Sequence, residues 1–168
     1  MVRDTGRYNK FKKRYFMVPD ISNDRRSTSN PHIDHMLDGR RELLSLYVKL
    51  AKIQPENMDS EDQDLMEEFC QALVDYIAAG HFCLYDRIES GRERRKAVAE
   101  FAQKIYPHVE ESTRISLEFS ERYNSGIEQR DHSNFALHVS KLGEYLTTRI
   151  ELEDQLIQCL LPSAPKIA

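Results

Sequence analysis

Four stretches of this chain carry apolar residues at intervals of three and four, so each must turn one side away from water. The first holds Ile33, Met36, Leu37, Leu43, Leu44, Tyr47, Leu50 and Ile53. The second holds Met66, Cys70, Leu73, Ile77, Leu84 and Ile88. Val98, Phe101, Ile105, Val109, Ile115, Phe119 and Tyr123 make the third, and Phe135, Val139, Leu142, Leu146, Leu152, Leu156 and Leu160 the fourth. A helix with one apolar stripe cannot hide it alone, and short links between four such helices favour neighbours that run in opposite directions. The expected fold is all-α, an antiparallel four-helix bundle.

Helix-start and helix-stop residues place the boundaries. Asn30-Pro31 suits a helix start, because Asn caps free backbone donors and Pro fits the first turn. Pro55 stops the first helix, since the residue before a proline is pushed out of the helical region. Ser60-x-x-Gln63 and Ser90-x-x-Glu93 read as capping boxes for helices two and three. Gly80 weakens helix two locally and permits a bend or close packing. Pro107 lies inside helix three and predicts a kink or split there; Asn124-Ser125-Gly126 ends it. Helix four is expected from about Asp131 to Leu161, closed by Pro162. The domain reading is a basic irregular arm over 1–31, a helical bundle over 32–162 and a tail over 163–168.

Charge is unevenly spread. Residues 1–32 carry eight Lys/Arg against three Asp/Glu, a net of +5, and residues 33–168 carry sixteen against twenty-five, a net of −9. Such an acidic body repels nucleic acid and attracts a basic protein surface. The arm has turn chemistry over 22–31 and aromatics at Tyr8, Phe11, Tyr15 and Phe16 that could fold onto the body; its charge also makes it a candidate contact for nucleic acid or polymerase. No stretch approaches the roughly 18 apolar residues of a membrane span, and the N-terminus lacks the apolar run of a signal peptide. Cys70, Cys83 and Cys159 stand singly, which argues against disulfides or structural zinc and for a reducing, cytoplasmic compartment.

Catalytic and metal chemistry find little support. A di-iron bundle needs paired Glu-x-x-His motifs on facing helices, and none of the six histidines follows a Glu at that spacing. His32-x-x-His35 and His108-x-x-Glu111 are isolated, and there is no Gly-x-Ser-x-Gly elbow or phosphate-cradling glycine loop. His81 with Tyr85 at the next turn could look like an acid–base pair, but a buried ring and imidazole satisfied by hydrogen bonds is far more common; Arg149 and Glu153 read as an ordinary i, i+4 pair. The expectation is no catalytic residue, no metal and no cofactor.

Rotating helix two by about 100° per residue from Leu73 brings Met66, Ile77, Gly80 and Leu84 to the core side and Phe82 to about 180°, directly outward. Around Phe82 on that outer face lie Glu68, Gln71, Asp75, Ala78 and Asp86. A large ring among carboxylates, with Ala78 leaving room beside it, is how interfaces anchor a partner and steer a basic one. A bend at Gly80 would turn Phe82 back toward the bundle, so rotation alone leaves an interface and a packing role both open.

The segment from Phe69 to Ile88 contains Leu73-Val74-Asp75-Tyr76, then Ala79-Gly80-His81-Phe82, then Tyr85. It resembles the central motif of the Rsd/AlgQ family of anti-sigma regulators. The stretch Asp34 to Pro55, Ile105-Tyr106-Pro107, and Arg149 with Leu152-Glu153-Asp154 and Leu156-Ile157 resemble other family segments, so the likeness covers roughly 32–161. It implies a helical bundle that binds the primary sigma factor of RNA polymerase, chiefly its basic, −35-reading C-terminal domain. Such binding keeps sigma from core polymerase and promoter DNA. The family's sigma-contacting positions carry over to Asp75, Ala78 and Phe82, on the face already singled out by rotation. Ala78 stands where some relatives have Ser, Met36 where Trp is common, and the arm is longer than usual. The alternative function is an adaptor that binds a metabolic or stress-signalling protein and modulates its activity.

Overall fold

The computed structural model describes residues 30–124 and 132–161, all of its regular structure helical. Four long helices dominate: α1, Pro31–Leu50; α2, Ser60–Gly80; α3, Lys96–Tyr123; and α4, His132–Leu160. A single 3₁₀ turn, Pro55–Asn57, lies between α1 and α2. A π-helical turn, His81–Tyr85, and a short helix, Asp86–Glu89, prolong α2. Helix α1 packs on α2, α2 on α3 and α3 on α4. Residues 1–29 of the expected arm 1–31 and all of the expected tail 163–168 lie outside the described residues, whereas Asn30 and Pro31 already belong to the start of α1.

Helix boundaries follow backbone chemistry. Asn30 caps α1, its side chain accepting the His32 N–H at 3.1 Å, and Pro31 follows as expected. Helix α1 already ends at Leu50, before Pro55. The capping box of α2 is one residue earlier than the spacing suggested. Asp59 accepts the Asp62 N–H at 2.9 Å, and Asp62 accepts the Asp59 N–H at 3.4 Å, so two acids take the places expected of Ser60 and Gln63. Ser90-x-x-Glu93 is no cap at all, because α3 starts at Lys96. Glu93 instead holds Arg95, whose guanidinium donates to the Cys159 and Leu160 carbonyls at 3.1 and 3.2 Å and so closes the last turn of α4. Pro107 does not split α3, which runs unbroken for 28 residues.

The four stripes meet in one core that includes Met36, Leu43, Leu50, Phe69, Leu73, Ile105, Phe119, Tyr123, Phe135, Leu142 and Leu156. Phe69 stands edge-on to Phe119 at 5.8 Å, and Tyr123 edge-on to Phe135 at 5.4 Å, the geometry that ring quadrupoles favour. Leu44 departs from its expected place: it is exposed, and Leu46 is buried in its stead. No helix among the described residues is long and apolar enough to cross a membrane.

Candidate interaction face and its buried charged support

Ionic groups occupy the centre of the bundle. Glu153 on α4 is fully buried, and Arg149 one turn earlier is 1% exposed. One Glu153 oxygen accepts Arg149 Nε at 2.7 Å; the other accepts Arg40 Nη2 from α1 at 3.3 Å and the Tyr76 hydroxyl from α2. Arg149 also donates to the Thr113 and Ser112 hydroxyls of α3 at 2.8 and 3.2 Å. Arg40 also donates to the Tyr76 hydroxyl at 3.3 Å and pairs with Asp154, which reaches toward solvent. Side chains of α1, α2 and α4 thus meet at one carboxylate, and α3 joins them through the hydroxyls that accept from Arg149. Two guanidiniums face two carboxylates, Glu153 buried and Asp154 at the solvent edge, so the cluster as a whole is balanced in charge, the condition under which a low-dielectric interior tolerates it. Burial, then the neighbouring Glu153 charge, pushes the Tyr76 hydroxyl well above its usual range and keeps it a donor. For Arg40, burial works against the charge, but Tyr76, Asp154 and Glu153 outweigh it and raise its pKa.

Arg149 and Glu153 are therefore not an ordinary surface pair. A signal for this was present: Leu142, Leu146, Arg149, Glu153 and Leu156 share the fourth stripe, and Arg40 falls between Met36 and Leu43 in the first. Charged residues at core positions of two helices ask for each other.

Gly80 is where this network presses on α2. A Cβ there would lie 3.0 Å from a Glu153 oxygen and 3.3 Å from Arg149 Nη2, so the absent side chain makes room for the ion pair. The π turn follows at once. One such turn inserts one residue and sets later side chains back by about 100°. Tyr85, about 120° from the core in a straight helix, comes to about 20° and is 1% exposed. Its hydroxyl is buried without a hydrogen-bond partner among the described residues. His81 approaches Glu89 at 4.0 Å, and the hydrogen bond expected to satisfy the Tyr85 hydroxyl is not found among the described residues.

The outer face of α2 is placed as follows. Glu68, Gln71 and Asp75 are exposed, and Gln71 Nε2 donates to both Asp75 oxygens at 2.9 and 3.0 Å, orienting that carboxylate. Ala78 is half-buried. Phe82 is half-buried too, not fully turned to solvent as the straight-helix rotation suggested. Its ring meets the His81 ring edge-on at 5.3 Å and stays outside the buried core. Asp86 is half-buried and ion-paired with Arg92, so an incoming cation must compete for it.

Beside these residues, α1 and α2 enclose a groove of about 280 Å³. Gly39, Ala72, Ala79 and Tyr76 contribute its apolar surface, and Glu42, Glu68 and Asp75 supply carboxylates; His35 and Gln71 also line it. Glu42 and the small floor residues escaped sequence reasoning, because which faces of two helices adjoin is not written in either stripe.

Among the described residues no group of three or more His, Cys, Asp or Glu side chains is placed to hold a metal. The class so defined is an all-helical protein with a balanced ionic core and an acidic, aromatic-bearing outer face. The sequence profile described as regulator of RNA polymerase sigma(70) subunit, Rsd/AlgQ, matches residues 20–161, and the chain belongs to this family. Similar curated proteins named Regulator of sigma D come from Escherichia coli (strain K12 / DH10B) and Shigella dysenteriae serotype 1 (strain Sd197). Each is 37% identical over 142 residues, covering 81% of this chain and 87% of the relative. No solved structure is matched.

Proposed function

We infer that this protein is a cytoplasmic anti-sigma regulator that binds the primary sigma factor stoichiometrically and catalyses nothing. The contact is chiefly with sigma's basic C-terminal, −35-reading domain, through Glu68, Gln71, Asp75, Ala78, Phe82 and Asp86. Occupying that domain limits sigma's association with core polymerase and promoter DNA. The folding unit spans 32–162, an antiparallel four-helix bundle with α3 bent at Pro107, between the basic arm 1–31 and the tail 163–168.

The observation that carries this reading is the surface of α2 around Phe82. Phe82 is half-buried on the same helix as the exposed Glu68, Gln71 and Asp75, while its neighbours Tyr76 and Tyr85 are sealed in the core. Carboxylates raise the encounter rate with a basic domain, and a ring that becomes fully covered supplies the lasting contact. Family membership supports sigma as the partner.

Calorimetric titration of the full chain with the isolated sigma C-terminal domain tests it. Phe82→Ala costs about 2 kcal/mol, roughly 30-fold in Kd. Asp75→Lys weakens binding further at low salt, and neither variant shifts the unfolding midpoint appreciably. Parent-like binding by both variants overturns the assigned surface.

A further inference from the structure

The α1–α2 groove shares Glu68, Gln71 and Asp75 with the face assigned to sigma, so any other occupant competes with sigma. We propose that the chain's own N-terminal segment, Lys10 to Phe16, docks in this groove and acts as an internal competitor. The proposal rests on the functional reading above and adds a regulator to the same site.

Three observations carry it. The first is charge: residues 1–29 hold a net +5, whereas the described residues lining the groove include Glu42, Glu68 and Asp75 and no Lys or Arg. The second is chemistry. The segment interleaves Lys10, Lys12, Lys13 and Arg14 with Phe11, Tyr15 and Phe16, and the groove pairs carboxylates with a floor of Gly39, Ala72 and Ala79 that leaves space for a ring. A bare polybasic run fits only the carboxylates, and an acidic groove repels a phosphate backbone. The third is reach. His35 lies within about 8 Å of Asn30 along α1, and Glu68 to Ala79 spans about 16 Å of α2. The sixteen residue steps from Arg14 to Asn30 allow a reach of about 50 Å, ample for a return path.

Tethering sets the strength. A short tether gives an effective concentration of the order of millimolar, so a contact with an intrinsic Kd of about 100 μM occupies the groove roughly nine-tenths of the time. Sigma then binds only the open fraction, which weakens its apparent affinity about tenfold.

Zero-length carbodiimide coupling of the full chain, read by peptide mass spectrometry on the monomeric product, tests the docking without sigma. Links from Lys10, Lys12 or Lys13 to Glu42, Glu68 or Asp75, lost at high salt, support it. Absent links, links spread equally to remote acids such as Glu118 and Glu151, or links found only in dimers overturn it. The full-length variant K10Q/K12Q/K13Q/R14Q tests competition: its affinity for the sigma domain rises about tenfold at low salt, and the difference shrinks as salt is added. Unchanged affinity beside a positive link map overturns the competition. Should the sigma domain bind neither protein, the functional reading falls while the link map still decides the docking.

Discussion

Replacing Glu153 by Gln keeps the side chain's outline and removes the one charge to which Arg40, Tyr76 and Arg149 all turn. The amide oxygen can still accept from Arg149 Nε, and the amide nitrogen can donate to Tyr76. Arg149, 1% exposed, then has no carboxylate partner and keeps hydrogen bonds to Ser112, Thr113 and the Val109 carbonyl. Arg40 retains Asp154. Breaking a buried ion pair by removing one partner costs about 3–5 kcal/mol. With one guanidinium stranded and one partly compensated, the lower end, about 3 kcal/mol, applies. For a chain of this length that is roughly 6–12 °C in Tm and a large share of total stability. Urea unfolding followed by helical circular dichroism gives the loss directly, provided the slope with denaturant is unchanged. Arg149→Met in the Glu153→Gln background should cost less than the two single changes added, because the stranded charge is gone. A loss below about 1 kcal/mol for Glu153→Gln, or strict additivity in the pair, would refute the claim that a balanced ionic core holds the helices together.

Further expectations can be checked on the same material. Gly80→Ala, which stabilises an ordinary helix by about 0.5–1 kcal/mol, should lower stability here, because its Cβ meets a Glu153 oxygen that the surrounding donors hold in place; a gain in unfolding midpoint would contradict this. Tyr85→Phe removes a buried hydroxyl with no partner among the described residues and should leave stability equal or raise it by about 1 kcal/mol; a loss of that size would mean the hydroxyl is satisfied. Thiol labelling should proceed in the order Cys159, Cys83, Cys70: Cys159 is exposed, and burial pushes Cys83 to about 11 and Cys70 to about 12. The Cys83 rate should rise about tenfold per pH unit between pH 8 and 10; a flat profile would count against the buried thiol. Because folding raises both pKa values, these thiols favour the folded state below pH 9, and that contribution is lost as pH climbs from 9 through 11–12.

Periodicity at three and four residues was enough to identify four helices and most of their buried residues, because a helix's apolar side depends only on its own sequence. The exposure of Glu68, Gln71 and Asp75 on α2 was legible for the same reason, whereas Ala78, Phe82 and Asp86 are half-buried. The ends of α1, α2 and α3 fell up to several residues from where caps and prolines suggested. What tertiary structure alone decided were the relations between helices. Arg40 and Glu153 are 113 positions apart, and a lone charged residue in an apolar stripe does not name its counter-ion. Nor does a straight-helix rotation foresee the π turn after Gly80, where α2 gives way to the ion pair on α4 and Tyr85 swings inward. Local pattern sets which side of a helix is apolar; only packing, where charge must be balanced and every volume filled, settles what that side meets.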